Sequence, residues 1–295
     1  MKILLLGKNG QVGWELQRAL VPLGNLTALD RHSTDYCGDL SNPEGIAATI
    51  LAIKPDVIVN AAAYTAVDKA EAEADMAAIL NTSAVASMAE AAEKVGALLV
   101  HYSTDYVFNG RGEKPWVESD VTDPLNVYGK TKRDGEDAIA AACSHYLIFR
   151  TSWVYAAKGK NFAKTMLKLA AEREELSVIN DQFGAPTGAE LIADCTAHAI
   201  RKTKVQPQLA GVYHLIASGT TTWHDYAAFV IKKAREKGLA LQVNKVIPVA
   251  TSAFPTAAKR PANSRLDITK FQQSFELMLP DWRIGVERML AEIIG

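Results

Sequence analysis

Cysteine is scarce in this 295-residue chain. Its three cysteines, Cys37, Cys143 and Cys195, lie far apart and in none of the spacings that bind metal or exchange disulfides. They read as reduced packing residues, which suits a cytoplasmic protein. Long apolar runs are also missing. The longest near the N-terminus, Ile3 to Leu6, is too short for a signal peptide or a membrane span, so neither export nor a membrane partner is expected. Without export, the glycosylation pattern Asn81-Thr82-Ser83 carries no meaning. Neither sign of charge dominates: the net charge is -1 and the pI is near 6.6. With no basic surplus, a nucleic-acid partner is not expected. The six histidines show no ligand spacing, and His198, His214 and His224 read as structural. No repeat and no low-complexity segment is present. What remains, 48% hydrophobic and 22% charged, is an ordinary globular composition. Its length allows one large domain or two unequal ones.

Short apolar runs alternate with helical patterns through residues 1–150. Strands are predicted over 2–6, 26–30, 57–60, 97–102 and 146–151, with a further candidate before Asp39. Helices are predicted over 10–23, 43–53, 76–95 and 125–142. This alternation predicts an α/β fold, a Rossmann-like, doubly wound parallel sheet covered on both faces. Residues 151–295 are less regular. Helices are predicted over 162–173, 189–201, 223–237 and 282–293, and strands over 176–179, 212–216 and 246–249, between loops punctuated by proline. This half is expected to form most of a smaller mixed α/β substrate lobe, folded over the carboxyl edge of the sheet. Some of its segments return to the main domain. That edge is where open α/β sheets bind ligands.

Gly7-Lys8-Asn9-Gly10-Gln11-Val12-Gly13 follows the first strand and opens the first helix. Glycines there let the backbone turn tightly and approach a pyrophosphate seated on the helix N-terminus. The spacing is G-x-x-G-x-x-G, wider than the usual dinucleotide fingerprint, and its context of strand, turn and helix gives it weight. Asp30 ends the second strand, where an acid holds a ribose 2′-hydroxyl, which favours NADH. Arg31 follows and suits a 2′-phosphate, which favours NADPH. The two also suit a solvated loop pair, and the cofactor stays open. Asp39 and Leu40 would suit an adenine, although the dipeptide is equally a turn. Ala62, Ala63, Tyr64 and Thr65 follow the strand ending at Asn60, where small residues let a ligand lie close to the backbone or simply pack tightly.

Tyr128-Gly129-Lys130-Thr131-Lys132 places a phenol and an ammonium one helical turn apart on one face. A charge about 4 Å from the phenol, at an effective dielectric near 20, is worth roughly 4 kcal/mol to the phenolate. It is expected to lower the tyrosine pKa by about three units, toward the operating pH. Ser103 and Thr104 end a strand on the same edge as the glycine loop. Thr104 could donate to a substrate carbonyl and share a proton with Tyr128, or be a local cap. Asp105 would accept from a sugar hydroxyl. Trp153 is either core or a platform for a sugar. Arg260 is a plausible partner for a substrate pyrophosphate or a solvated side chain.

These residues identify a resemblance. GKNGQVG (7–13), NAAAYTAVDKAE (60–71), HYSTDYVF (101–108), PLNVYGKTK (124–132), FRTSWVY (149–155), NDQFGAPTGAE (180–190) and DWRIGVERML (281–290) together resemble the dTDP-4-dehydrorhamnose reductases, extended short-chain dehydrogenases of bacterial sugar-nucleotide metabolism. STDYVF followed by VYGKTK is the specific part. The resemblance covers essentially the whole chain and departs at Asn109-Gly110, where the wider pattern often has Asp-Gly. It implies NADPH- or NADH-dependent reduction of the 4-keto group of dTDP-6-deoxy-L-lyxo-hexos-4-ulose to dTDP-L-rhamnose, for a polymer such as lipopolysaccharide O-antigen. It implies Tyr128 as proton donor, Lys132 as holder of the nicotinamide ribose and tuner of Tyr128, and Thr104 as orienter of the carbonyl. Asp105 and Trp153 would contact the sugar. Gln11, Val12, Asp30, Asp39, Leu40, Ala63, Tyr64, Thr65 and Tyr102 would line the cofactor. Some members are homodimers with Mg2+ held by glutamates, here Glu15, Glu190 and Glu292, which sequence alone reads as charged surface. The alternatives of the same fold are an NAD-dependent sugar-nucleotide epimerase and a non-catalytic regulatory subunit; the intact Thr104, Tyr128 and Lys132 argue against the second.

Overall fold

A computed structural model describes all of residues 1–295. Six parallel strands form the central sheet in the order β10-β5-β4-β3-β1-β2. They are β1 (Lys2–Leu6), β2 (Asn25–Leu29), β3 (Val57–Asn60), β4 (Leu98–Thr104), β5 (Tyr146–Thr151) and, from the second half, β10 (Gly211–His214). The chain reverses direction across the sheet between β1 and β3, which makes the gap above them a topological switch point.

The strands are apolar on both faces because both faces are covered. Ile3 and Leu5 join one core with Leu16 and Leu20 of α1 (Gln11–Leu20) and Ile192 and Ile200 of α8 (Ala189–Val205). Leu4 and Leu6 join the opposite core with Ile46 and Ile50 of α2 (Pro43–Ile53), Met88 and Ala92 of α5 (Ala84–Val95) and Ile139 of α6 (Val127–Ala142). A one-residue register slip would move either set to the wrong side. The register aligns Leu6 with Asn60 and Thr104 with Thr151, so the loops after β1, β3, β4 and β5 leave from one edge.

Two short helices, α3 (Val67–Ala70) and α4 (Ala74–Ala78), follow β3. The helix predicted over 76–95 is interrupted after α4 by a π-helical turn, Ile79–Ser83. Asn81 lies in that turn. Its amide accepts from Tyr64 N at 2.9 Å and donates to Thr131 Oγ1 at 3.2 Å, so a tertiary contact sets the irregularity. The first helix stops at Leu20, and Val21–Leu23 tightens to 3-10 geometry at Pro22. The candidate strand before Asp39 is absent. Residues 31–38 are turns, begun by the Asp30 carboxylate accepting from His32 N at 2.9 Å, and their polar sequence offers no apolar face.

Beyond β5 the chain builds a second cluster of elements. They are β6 (Val154–Tyr155), α7 (Phe162–Glu172), β7 (Glu175–Ile179), β8 (Phe183–Gly184), β9 (Thr187–Gly188), β11 (Thr221–Thr222), α9 (Trp223–Glu236), β12 (Lys245–Val249) and α11 (Trp282–Ile294). β7 pairs in parallel with β12. Tyr155, Tyr226, Trp282 and Val286 are buried in one core there, and Leu176, Val178 and Ile231 in an adjoining one. By contrast α8, β10 and α10 (Thr269–Phe275) pack with the main sheet.

Candidate active site

A cleft of about 910 Å³ opens at the carboxyl edge of the sheet, between that edge and residues of the second half such as Trp223 and Arg260. Its size suits a cofactor together with a small ligand. Gly7, Gly10, Gln11 and Val12 line one end. Gly7 has φ +85°, and a Cβ there would stand 2.7 Å from Ala62 N, so the loop after β1 and the small residues after β3 touch backbone to backbone. Gly13 lies beneath the loop, where a Cβ would stand 2.0 Å from Gly7 O. No side chain caps α1, which leaves its first amides for an anion.

Asp30, Arg31, Asp39 and Leu40 lie along the same end. The Asp30 carboxylate accepts from His32 N and the Ser33 hydroxyl, pairs with Asn9, and lies 3.9 Å from Lys8 Nζ. The His32 amide and these neighbours hold its carboxyl below the usual range. Arg31 is exposed and reaches His32, Nε to Nε2, at 3.0 Å. An acid for a ribose hydroxyl and a cation for a phosphate therefore stand side by side.

Ala62, Ala63 and Thr65 line the middle of the cleft. Tyr64 does not. Its hydroxyl is engaged by Glu73 at 2.5 Å and its backbone by Asn81, so only its neighbours meet a ligand. Tyr102 is also committed elsewhere through its phenol, 2.7 Å from Thr196 Oγ1, and it offers the site its backbone carbonyl.

Thr104, Asp105, Tyr128 and Lys132 gather beside the strand end. Asn126 caps α6 by accepting from Gly129 N at 2.8 Å, and it donates to Lys259 O at 2.8 Å. The helix start that carries Tyr128 is thereby fixed to the loop carrying Arg260. Thr104 Oγ1 donates to Asp105 Oδ1 at 3.1 Å. Burial pushes the Asp105 carboxyl up to about 6, against the Ser264 and Thr104 hydroxyls, and its Oδ2 is buried without a hydrogen-bond partner. Ser103 is buried with its hydroxyl equally unpartnered.

The expected lowering of the Tyr128 pKa is corrected here. Burial pushes the phenol up, Asp105 and Tyr106 push it further, and only the Thr104 hydroxyl opposes them. Lys132 does not act on it, because its Nζ is turned inward to Tyr102 O at 2.6 Å and His101 Nε2 at 3.0 Å. Sharing a helix face brought the two residues to one site but did not aim the charge.

Trp153 follows β5 with φ +48°, a backbone conformation that costs a bulky residue about 1–3 kcal/mol. Its indole stacks on Trp223 with centroids 3.6 Å apart and planes 15° apart. Trp223 Nε1 donates to Gln182 Oε1 at 3.1 Å, and Gln182 donates to Thr251 Oγ1 at 3.0 Å. Both indoles line the cleft. Arg260 also lines it, its guanidinium 2.7 Å from Asp68 and 3.4 Å from the Tyr106 hydroxyl.

Asn9, His32, Val67 and Trp223 line the cleft without having been singled out from sequence. Asn9 sits inside the glycine motif and His32 beside Arg31, so proximity was their signal. Trp223 had none, since it comes from a distant helix. Glu15, Glu190 and Glu292 lie outside the cleft on α1, α8 and α11. They are neighbours, since Glu15 and Glu292 help burial to raise the Glu190 carboxyl. Arg288 stands 3.3 Å from Glu190 and Arg18 3.5 Å from Glu15, and no group of three or more His, Cys, Asp or Glu in the chain could hold a metal ion. The residues of one chain therefore do not fit Mg2+.

Over residues 1–294 the chain matches the family model described as the RmlD substrate binding domain. A dTDP-4-dehydrorhamnose reductase of Shigella flexneri is 67% identical over 293 residues, 99% of this chain and 98% of that protein. A solved dTDP-4-dehydrorhamnose reductase of Clostridium acetobutylicum superposes with a TM-score of 0.90 at 33% identity, over 100% of both chains. One from Bacillus anthracis, solved in complex with NADP, superposes with a TM-score of 0.88 at 35% identity, over 99% of this chain and 100% of that one.

Proposed function

The chain belongs to the dTDP-4-dehydrorhamnose reductase family that carries the RmlD substrate binding domain, and from that premise we propose how its own residues perform the reaction. It is an NAD(P)H-dependent oxidoreductase that reduces the 4-keto group of dTDP-4-dehydro-L-rhamnose to give dTDP-L-rhamnose. The observation that carries the assignment of roles is one cleft lined by the glycine loop, Asp30, Thr104, Tyr128 and Lys132.

The amides of Gln11 and Val12 would hold the pyrophosphate of the nucleotide, Asp30, Arg31, Asp39 and Leu40 its adenosine, and Ala62, Ala63 and Thr65 would leave room for its nicotinamide. Bound there, the nicotinamide supplies the hydride to the sugar C4. Thr104 turns its O–H from Asp105 to donate to the keto oxygen, and Tyr128 protonates the developing alkoxide. Lys132 holds the nicotinamide ribose. Asp105 accepts from a sugar hydroxyl, which would give its unpartnered oxygen a donor. Trp153 offers a flat apolar wall, and Arg260 faces the dTDP pyrophosphate. Residues 1–150 act as the cofactor domain and most of 151–295 as the substrate lobe. A cytoplasmic homodimer fits the chain, and no step passes through a metal.

The test follows absorbance at 340 nm with NADPH and with NADH, the keto-sugar nucleotide being made in situ by the upstream dehydratase and epimerase. The expected outcome is oxidation that depends on the sugar and yields dTDP-rhamnose. Retained cofactor with no net oxidation would favour the epimerase reading instead.

A further inference from the structure

Asn60, His101 and Lys132 form a buried chain of hydrogen bonds beneath the reaction site. Asn60 ends β3 directly opposite His101 of β4, and Lys132 reaches them from α6. All three are buried to within 1% of full burial. Asn60 contacts His101 Nδ1 through its Nδ2 at 3.1 Å, and His101 Nε2 stands 3.0 Å from Lys132 Nζ.

Donor and acceptor counting fixes the protons along this chain. The Ala62 amide N–H can only donate, and it donates to Asn60 Oδ1 at 3.1 Å. The carboxamide orientation is thereby set, and Asn60 Nδ2 must be the donor toward His101 Nδ1. His101 Nδ1 then accepts and carries no proton. Burial holds the imidazole pKa well below its ordinary value, so the ring is neutral. A neutral imidazole keeps one N–H, which must be on Nε2 and must point at Lys132. An ammonium has three donors and no acceptor, so it would face that N–H donor to donor. A neutral amine resolves the conflict: its lone pair accepts from His101, one N–H donates to Tyr102 O at 2.6 Å, and the other remains for the cleft.

We infer that His101 is a positioning residue that favours the neutral amine of Lys132 in the cofactor-free enzyme, so that Lys132 exchanges a proton within reach of neutral pH instead of standing as a permanent cation. Burial acts in the same direction, bringing the lysine down to about 8. The charged groups around it do not cancel this. Glu136, one turn along α6, pulls the lysine up, yet it is itself bound to Arg150 of β5 at 2.6 Å. Asp105 acts on Tyr128 and Tyr106. Gaining a proton removes the lone pair of Lys132, and the His101 contact must then break, because a ring proton moved to Nδ1 would meet the Asn60 amide donor to donor. The charge that Lys132 presents to the cofactor site is therefore conditional. That consequence for catalysis rests on Lys132 serving the cofactor as proposed above; the proton arrangement does not.

The test is nitrogen-15 NMR of cofactor-free protein labelled at histidine and lysine, from about pH 6 to about pH 10. His101 is expected as the neutral Nε2–H tautomer throughout, with Lys132 passing from ammonium to amine near pH 8. In His101→Gln a carboxamide oxygen can accept from the ammonium, and the Lys132 midpoint should rise by about one pKa unit, a tenfold gain in proton affinity. The alkaline limb of kcat/KM should move with it, whereas a merely structural role would leave both in place. An Nδ1–H tautomer in the wild-type protein, which needs no variant to fold, would overturn the inference. So would a folded His101→Gln whose Lys132 midpoint stays put. Failure of the reductase assay with this NMR result intact would count against the assigned reaction alone.

Discussion

Replacing Tyr128 by phenylalanine removes one hydroxyl from the wall of the cleft, and turnover should fall about 10²–10⁴-fold, the usual range for a lost general acid. NADPH binding, followed by fluorescence, should change little, and near-normal turnover would end the proton-donor assignment. Asp105 gives a pH signature. Burial lifts its carboxyl from 3.8 to about 6, so across that interval the folded chain holds a proton the unfolded chain has released. Stability should thus fall as pH rises from about 3.8 through about 6 and then level, by about 3 kcal/mol at neutral pH. Asp105→Asn should lack that slope, gaining on the wild type in thermal unfolding between pH 4.5 and pH 8. A parallel pH dependence in the two proteins would place the raised carboxyl elsewhere. The residue types were legible in sequence, since a glycine loop, a strand-end threonine and a Tyr-x-x-x-Lys pair announce their chemistry by spacing. Where each side chain points was not. Lys132 turns to Tyr102 O and His101, and Tyr64 to Glu73, because partners distant in the chain offered better hydrogen bonds.

At the scale of elements, short apolar runs located the strands, since β1 buries Ile3 to Leu6 on both faces, and a repeat of three to four located long helices such as α8. It failed where polar tertiary contacts decide geometry, as at Asn81 and in residues 31–38. The junction of β1 and α1 offers a sharp test. A Cβ at position 13 would stand 2.0 Å from Gly7 O, whereas one at position 10 would find its nearest neighbour at 3.4 Å. Gly13→Ala should push α1 away from the strand, with a loss of about 1–3 kcal/mol in stability and weaker NADPH binding. Gly10→Ala should unfold close to the wild type. Equal losses in both variants, measured by denaturant melts and cofactor titration, would mean that backbone crowding does not explain the motif.

At the scale of the whole molecule, the second half closes the cleft in which the first half places its chemistry. The cleft is built across the fold, with Arg260 bound to Asp68 of α3 and Asn126 bound to Lys259 O. The outer face of α1, α8 and α11 presents Trp14 at 48% and Ile284 at 62% exposure among the paired charges Arg18, Asp194, Glu190 and Arg288. Large apolar side chains rimmed by charge suit a copy-to-copy interface. Light scattering should give twice the 31.9 kDa of one chain, with Ile284→Asp lowering it to that of one.

The sequence by itself determined the fold class and the chemical inventory, because hydrophobic periodicity and the backbone needs of glycine act locally. Only the tertiary structure decided which groups are neighbours. Trp223 is stacked on Trp153 from seventy residues away. Asn60 and His101 meet because parallel strands bring them into register. Protonation followed from the same cause, since burial and a fixed set of partners, which no local spacing encodes, set the charge on Tyr128, Asp105 and Lys132.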